Sequence, residues 1–171
     1  MLMKKTFSIL LIPFLFTCCK KSKNQLPTLG HTGENMLACY VNGSPFIISG
    51  HMTAPALLSI VSGIEYSYLN SYTPSFFIYG IQEFTNDKIG FYFNYNGMPG
   101  VYNFYFDTTL VNPGQYGGFY NNGYSTTATN PGTTDITYFD GKIVAGTFSF
   151  DAVDSGNVVH ITDGEFDINV N

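Results

Sequence analysis

The chain has little positive charge outside its N-terminus, and it lacks arginine and tryptophan altogether. Beyond residue 24 there are two lysines, Lys88 and Lys142, whereas all 12 acidic residues of the chain lie in that part. Proteins that bind nucleic acids rely on Lys and Arg contacts to phosphates. The composition therefore argues against nucleic acids as partners and against phosphate-rich substrates.

Cysteine is also scarce: there are three, of which Cys39 alone lies beyond residue 24. A disulfide framework is therefore excluded, and the apolar surroundings of Cys39 predict a buried free thiol. A domain of this length buries enough surface to fold without such crosslinks. We expect one compact domain.

The chain has no apolar run of the ~20 residues that a membrane-spanning helix needs. The stretch Thr6–Phe16, TFSILLIPFLF, is uncharged and mostly apolar, and it follows Lys4 and Lys5. A run of this length after a short positive segment is typical of a secretory signal peptide.

Two adjacent cysteines follow this apolar run. Leu15 lies three residues before Cys18, a spacing that resembles a bacterial lipobox, in which the Cys is diacylated and begins the mature chain. Cys19 has Phe16 at the same spacing and is the weaker choice. The sequence therefore predicts a lipoprotein signal peptide over residues 1–17 and lipid attachment at Cys18. The alternative is a plain signal peptide followed by two unmodified cysteines.

Residues 18–35 are polar, contain three lysines and lack any periodicity, which predicts a flexible tether behind the acylated Cys. Stable membrane anchoring takes two or more signals, and a lipoprotein Cys carries at least two acyl chains. The lysines add attraction to anionic headgroups, about 1 kcal/mol each. We expect the protein to stay on its membrane.

Residues 36–171 have the composition of strands joined by tight turns. Aromatics make up 17% of the chain, all of them Phe and Tyr, and KIGFYFNY at 88–95 alternates between an apolar and a more polar face. The Asn42-Gly43 pair between apolar runs predicts a hairpin. Together these features predict a single all-β domain, an antiparallel β-sandwich of about nine or ten short strands. The alternative is a flattened up-and-down barrel.

The C-terminal part contains two turn signals, Asp154–Asn157 and Asp163-Gly164. Three strands registered about these turns bring apolar side chains to one face. The rows so formed are Phe150, Ile161 and Phe166, then Ala152, Val159 and Ile168. On the opposite face the same register places His160 between Asp151 and Asp167. This charge ladder is either a pH-sensitive contact or weak metal site, or simply a solvated strand face.

Residues 112–134 form a long segment rich in Gly, Asn and Thr that breaks the strand pattern. Long ordered loops are uncommon and often functional. The aromatics Tyr116, Phe119, Tyr120 and Tyr124 lie in it and are candidate ligand-binding residues, since aromatic faces suit sugars and protein interfaces alike. The alternative is a flexible excursion or an irregular edge strand.

Motifs of nucleophilic, zinc-dependent or phosphate-binding enzymes do not occur in the sequence. We therefore expect no enzyme activity, no catalytic or metal-binding residues and no cofactor.

The lipobox with CCKK, the stretch LPTLGHTGENMLACYVNGSPF and the terminal GTFSFDAVDSGNVVHITDGEFDI resemble a family of small Bacteroidota outer-membrane lipoproteins without an assigned function. The resemblance implies a lipid-anchored β domain at the outer membrane and brings no catalytic residues. Bacteroidota lipoproteins exported to the cell surface often carry acidic residues after the acylated Cys. The basic tether here favours the periplasmic face.

Two function classes remain open. The first is a structural or protein-interaction module that docks to another envelope protein. The alternative is a module that binds glycans or small amphiphiles through residues 112–134.

We predict that Cys18→Ser abolishes incorporation of radiolabelled palmitate, whereas Cys19→Ser leaves it intact, because the apolar run and Leu15 direct acylation to Cys18. Label retained in Cys18→Ser and lost in Cys19→Ser would contradict the assignment.

Overall fold

The computed structural model describes residues 25–50, 63–69, 75–82, 85–105 and 117–170. These ranges contain eleven β-strands and no helix, so the predicted all-β class is confirmed. Within them, no helix is long and apolar enough to cross a bilayer. The strands are β1 (Met36–Val41), β2 (Ser44–Ser49), β3 (Gly63–Leu69), β4 (Ser75–Ile81), β5 (Lys88–Asn94), β6 (Gly100–Phe104), β7 (Gly117–Tyr120), β8 (Tyr124–Ser125), β9 (Gly132–Phe139), β10 (Ile143–Asp154) and β11 (Asn157–Asn169).

The strands form one antiparallel sheet that curls into a half-barrel. Its main path runs β2-β1-β11-β10-β8-β7-β5-β4-β3. β10 is long enough to pair with β11 along one edge and with both β9 and β8 along the other, and β9 in turn pairs with β6. The sheet therefore branches at β10, which places β6, β9, β10 and β11 side by side.

The concave side of the sheet is filled largely by phenylalanine. Phe91 of β5 stacks on Phe148 of β10 with ring centroids 4.6 Å apart, and it also contacts Phe104 of β6 and Phe166 of β11. These contacts join strands that are not hydrogen-bonded neighbours, so they hold the curled sheet closed. Burying one such ring contributes about 1.5–3 kcal/mol.

Cys39 of β1 is fully buried in this core, as the sequence predicts. Burial raises the pKa of its thiol to about 12, because the thiolate loses its hydration in apolar surroundings. The thiol therefore packs as a small apolar side chain.

The hairpin predicted at Asn42-Gly43 is present between β1 and β2. Both residues have positive φ, 49° and 78°, which is the geometry of a tight two-residue hairpin turn. The turn is also bonded to β11: the Asn42 backbone N–H donates to the His160 carbonyl, and the His160 N–H donates to Asn42 Oδ1, both at 2.9 Å.

The prediction of a hairpin turn at Asp163-Gly164 is wrong, because β11 continues through these residues without reversing. Asp163 has φ 49°, and the register against both β10 and β1 shifts by one residue at this place. Asp163 therefore lies in a β-bulge, which bends the strand and increases its twist. An Asp-Gly pair with a positive φ suits a hairpin turn and a bulge alike, and local sequence does not distinguish the two.

The bulge changes the pairing of everything after it. The predicted pairs of Phe150 with Ile161 and of Ala152 with Val159 are present. Phe166 and Ile168, however, pair with Gly146 and Val144 of β10, since they continue β11 and belong to no separate strand.

The segment before β1 is bound to the outer face of the sheet over residues 29–35, which we call the strap. Asp167 has no exposed surface, and its carboxylate accepts hydrogen bonds from the backbone N–H groups of Thr32 and Gly33, at 3.0 and 2.8 Å. Leu29 N–H donates to Glu165 Oε2 at 3.1 Å. The flexible tether predicted to extend to residue 35 therefore ends earlier, since the strap is held by two carboxylates of β11.

We predict that Asp167→Ala lowers the free energy of unfolding by about 2–4 kcal/mol, because it leaves two partly buried N–H groups without their charged acceptor. Asp151→Ala is the matched control. Asp151 is partly exposed and pairs with His160, so its loss should cost less than about 1 kcal/mol. Denaturant unfolding of both variants measures the difference, and equal costs would mean that the strap does not depend on Asp167.

Candidate functional site

The aromatic segment singled out from sequence is largely built into the sheet. Phe119 and Tyr120 belong to β7 and Tyr124 to β8, and β7 pairs with β5. Tyr116 lies outside the described residues, as does Cys18. The prediction that these aromatics lie in a long loop is therefore wrong for the three that are described.

Phe119 lies on the convex face of the sheet, against Gly90 of β5. A Cβ at Gly90 would lie 2.5 Å from the Phe119 ring, so the ring occupies the space that a side chain would need. Tyr79 of β4 approaches from the other side, with ring centroids 5.8 Å apart. The two aromatic rings thus cover a glycine in the middle of three paired strands.

Tyr120 and Tyr124 lie on the opposite, concave face, because successive side chains of a strand alternate. Their rings meet edge to face, with centroids 6.3 Å apart, and both pack against the margin of the core. Phe119 therefore cannot share one pocket with Tyr120 and Tyr124, which removes the geometric basis of the predicted aromatic site.

Tyr120 interacts with Asp87, which Asn121 also contacts through Nδ2 at 2.8 Å. Burial raises the pKa of the Tyr120 hydroxyl, and its hydrogen bond to Asp87 and the charge of that carboxylate raise it further. Burial of Asp87 is outweighed by hydrogen bonds from Asn121, Thr85 and Tyr120, which hold the pKa of the Asp87 carboxyl below its usual range. This group stabilises one margin of the core.

The predicted charge ladder is only half formed. Asp151 and His160 are paired residues of β10 and β11, and their Oδ1 and Nδ1 atoms are 2.7 Å apart. Asp167 is not beside them, because the bulge at Asp163 places it opposite Ala145, where it binds the strap. The side chains of His160 and Asp151 are 59% and 40% exposed, and a pair so exposed contributes about 0.2–1 kcal/mol. Among the described residues, no three His, Cys, Asp or Glu side chains lie close enough to hold a metal.

The outer face of β6, β9, β10 and β11 carries an open groove of about 610 Å³, which we call the outer groove. Paired residues cross it in rows: Val101, Asp135, Thr147 and Glu165 face one another on consecutive strands. The residues that line it are Val101, Thr133, Thr134, Asp135, Thr147, Phe148, Ser149, Thr162, Asp163, Gly164 and Glu165.

Most of the residues that line the outer groove carry a hydroxyl or a carboxylate group. It presents the hydroxyls of several threonines and Ser149, whose Oγ lies 3.3 Å from Thr133 Oγ1. Three carboxylates, those of Asp135, Asp163 and Glu165, belong to the same lining, which includes no lysine. The groove can therefore hydrogen-bond donors and acceptors, and its charge favours cationic groups.

A smaller cavity of about 180 Å³ adjoins the outer groove and shares Thr147 and Glu165 with it. Residues 28–31 form one wall of this cavity. His31 stacks on Tyr138 of β9 with ring centroids 4.9 Å apart and an interplanar angle of 11°. The strap thus runs along the same face as the groove and closes its side at Glu165.

Sequence reasoning missed the outer groove, although a signal for it exists. On β10 the outward Thr147 and Ser149 alternate with the buried Phe148 and Phe150, and on β9 the outward Thr133 and Asp135 flank the buried Thr134. This alternation indicates a solvated face of each strand. It does not indicate that β6, β9, β10 and β11 are neighbours, and only that neighbourhood makes a groove.

No family model matches the chain, and neither the curated proteins nor the solved structures include a match.

We predict that Tyr120→Phe makes stability less sensitive to alkaline pH. The raised pKa of Tyr120 stabilises the fold below the unfolded value of about 10, and this contribution is lost as pH rises through the folded pKa. The fall in the free energy of unfolding between about pH 8 and about pH 11 should therefore be smaller in the variant than in the wild type.

Tyr138→Phe is the control for this measurement. Tyr138 also has a raised pKa, caused first by its hydrogen bond to Asp140, but its side chain is at the surface. Solvent screens such a pair, so the free energy of unfolding of this variant should fall with pH as it does in the wild type. If the stability of Tyr120→Phe also falls with pH as in the wild type, the raised pKa of Tyr120 does not contribute to the stability of the fold.

Proposed function

We propose that this protein is a lipid-anchored envelope protein that acts as a binding module for another envelope component and not as an enzyme. The anchor would be the acylated Cys18, at the periplasmic face of the outer membrane, in keeping with the resemblance to Bacteroidota lipoproteins. The observation that carries the binding role is the outer groove, in which side chains from four neighbouring strands converge on one open face.

The rigidity of the surroundings supports this proposal. The floor of the groove includes Phe148, which is buried in the aromatic core, so the side chains above it are carried by a packed sheet. A site on paired strands is held more firmly than a site on loops. Binding to such a surface requires little reordering of the protein, which reduces the entropic cost of association.

The distance to the anchor also supports this role. Residue 25 is the first described, and Cys18 precedes it by seven residues. A chain of that length spans at most about 25 Å. The strap leads from this segment across the groove-bearing face, so a partner bound there would lie close to the membrane.

The alternative of a glycan or amphiphile site built by the aromatics of residues 112–134 has less support. Phe119 lies on one face of the sheet, and Tyr120 and Tyr124 lie on the other. Tyr116 lies outside the described residues.

We predict that a photo-crosslinking amino acid at Ser149, in the outer groove, gives a discrete adduct in cells. The same group at Ala128, an exposed position outside the groove lining, should give none. Cys18→Ser should weaken the adduct, because the protein then leaves the membrane where its partner lies. Identical adducts from both positions, or none from Ser149, would contradict the binding role.

A further inference from the structure

We propose that the outer groove docks an extended, positively charged peptide segment of the partner. This inference rests on the proposed binding role and names the chemistry of what is bound. Three features of the groove carry it: the three carboxylates of its lining, its dimensions and its mixture of donors and acceptors.

The first feature is charge. Asp135, Asp163 and Glu165 line one groove, and Lys88 and Lys142, the two lysines beyond residue 24, are not part of the lining. Glu165 accepts one backbone N–H from the strap, a dipole that leaves the net charge unchanged. A cationic ligand gains Coulomb attraction on this face, whereas an anionic ligand is repelled.

The second feature is the shape of the groove. It crosses four strands, and three strand spacings amount to about 14 Å. An extended peptide rises about 3.3 Å per residue, so about four residues fit across it. Val101 is 68% exposed at the β6 end, and it offers apolar contact to the methylene stem of a lysine or arginine whose charged head reaches a carboxylate.

The third feature is the hydroxyl row. Thr133, Ser149 and Thr162 can each donate and accept hydrogen bonds. A peptide backbone presents one donor and one acceptor per residue and needs both kinds of partner when it leaves water. The groove therefore offers cation-binding groups and backbone-binding groups within one surface.

The test is calorimetric titration of the full chain in neutral detergent at low salt with three probes. The first probe is a capped hexapeptide of alternating lysine and serine. The second is the same peptide with glutamate in place of lysine, and the third is a neutral glucose hexasaccharide. We expect binding of the lysine peptide alone, weakening as salt is added, because salt screens exposed charges.

Substitutions of carboxylates inside and outside the groove test where the lysine peptide binds. Asp135→Asn and Asp163→Asn should each lower the affinity for the lysine peptide by about two- to five-fold, as expected for the loss of one solvent-exposed ion pair. Asparagine tolerates the positive φ of position 163, so the bulge should persist. Asp140→Asn and Asp154→Asn remove the same charge outside the groove lining and should have little effect.

The outcomes separate this inference from the proposed function. Equal weakening by groove and control variants would show non-specific attraction to an acidic protein and would overturn the inference. Failure of the wild type to bind the lysine peptide would also overturn it. The same holds if the wild type binds the hexasaccharide and Asp135→Asn and Asp163→Asn weaken that binding. In each of these cases a crosslink specific to Ser149 would still uphold the binding role, whereas its absence overturns both.

Discussion

The single extra residue of β11 at Asp163 is the constraint on which the rest of the outer face depends. β11 pairs with β1 on one side and β10 on the other, and both registers shift at this bulge. Asp163 and Glu165 consequently face the outer groove, while Asp167, two residues further, meets the strap. A two-residue hairpin at the same place would have ended the strand and separated these carboxylates.

Apolar and charged side chains lie on different faces of the curled sheet. Phenylalanines on the concave face contact one another across the core and hold the curl closed, as the rings around Phe91 show. Among the described residues the carboxylates lie outside this core except that of Asp167, which is buried and receives hydrogen bonds from the strap. Buried charges persist where such partners satisfy them. The acidic outer face and the packed interior are thus parts of one arrangement.

The strap links the sheet to the segment that precedes it. Backbone N–H groups of Thr32 and Gly33 converge on one carboxylate, and the positive φ of Gly33, 71°, allows this convergence. The domain is therefore held at its N-terminal side by hydrogen bonds, without any disulfide in the described residues. This attachment holds the strap on the outer face of the sheet. A membrane anchor at the N-terminus would therefore be joined to the domain from that face.

The sequence by itself determined the strand character of the domain, the Asn42-Gly43 hairpin, the burial of Cys39 and the pairing of Asp151 with His160. All of these follow from apolar runs, from period-two alternation and from short turns, which are local properties. Tertiary structure alone decided that Asp163-Gly164 is a bulge and that Phe119 and Tyr120 belong to a strand paired with β5. It also decided that β6, β9, β10 and β11 lie side by side to form the outer groove. These outcomes depend on which distant strands become neighbours, and that choice is made by packing across the whole core, which no local pattern encodes.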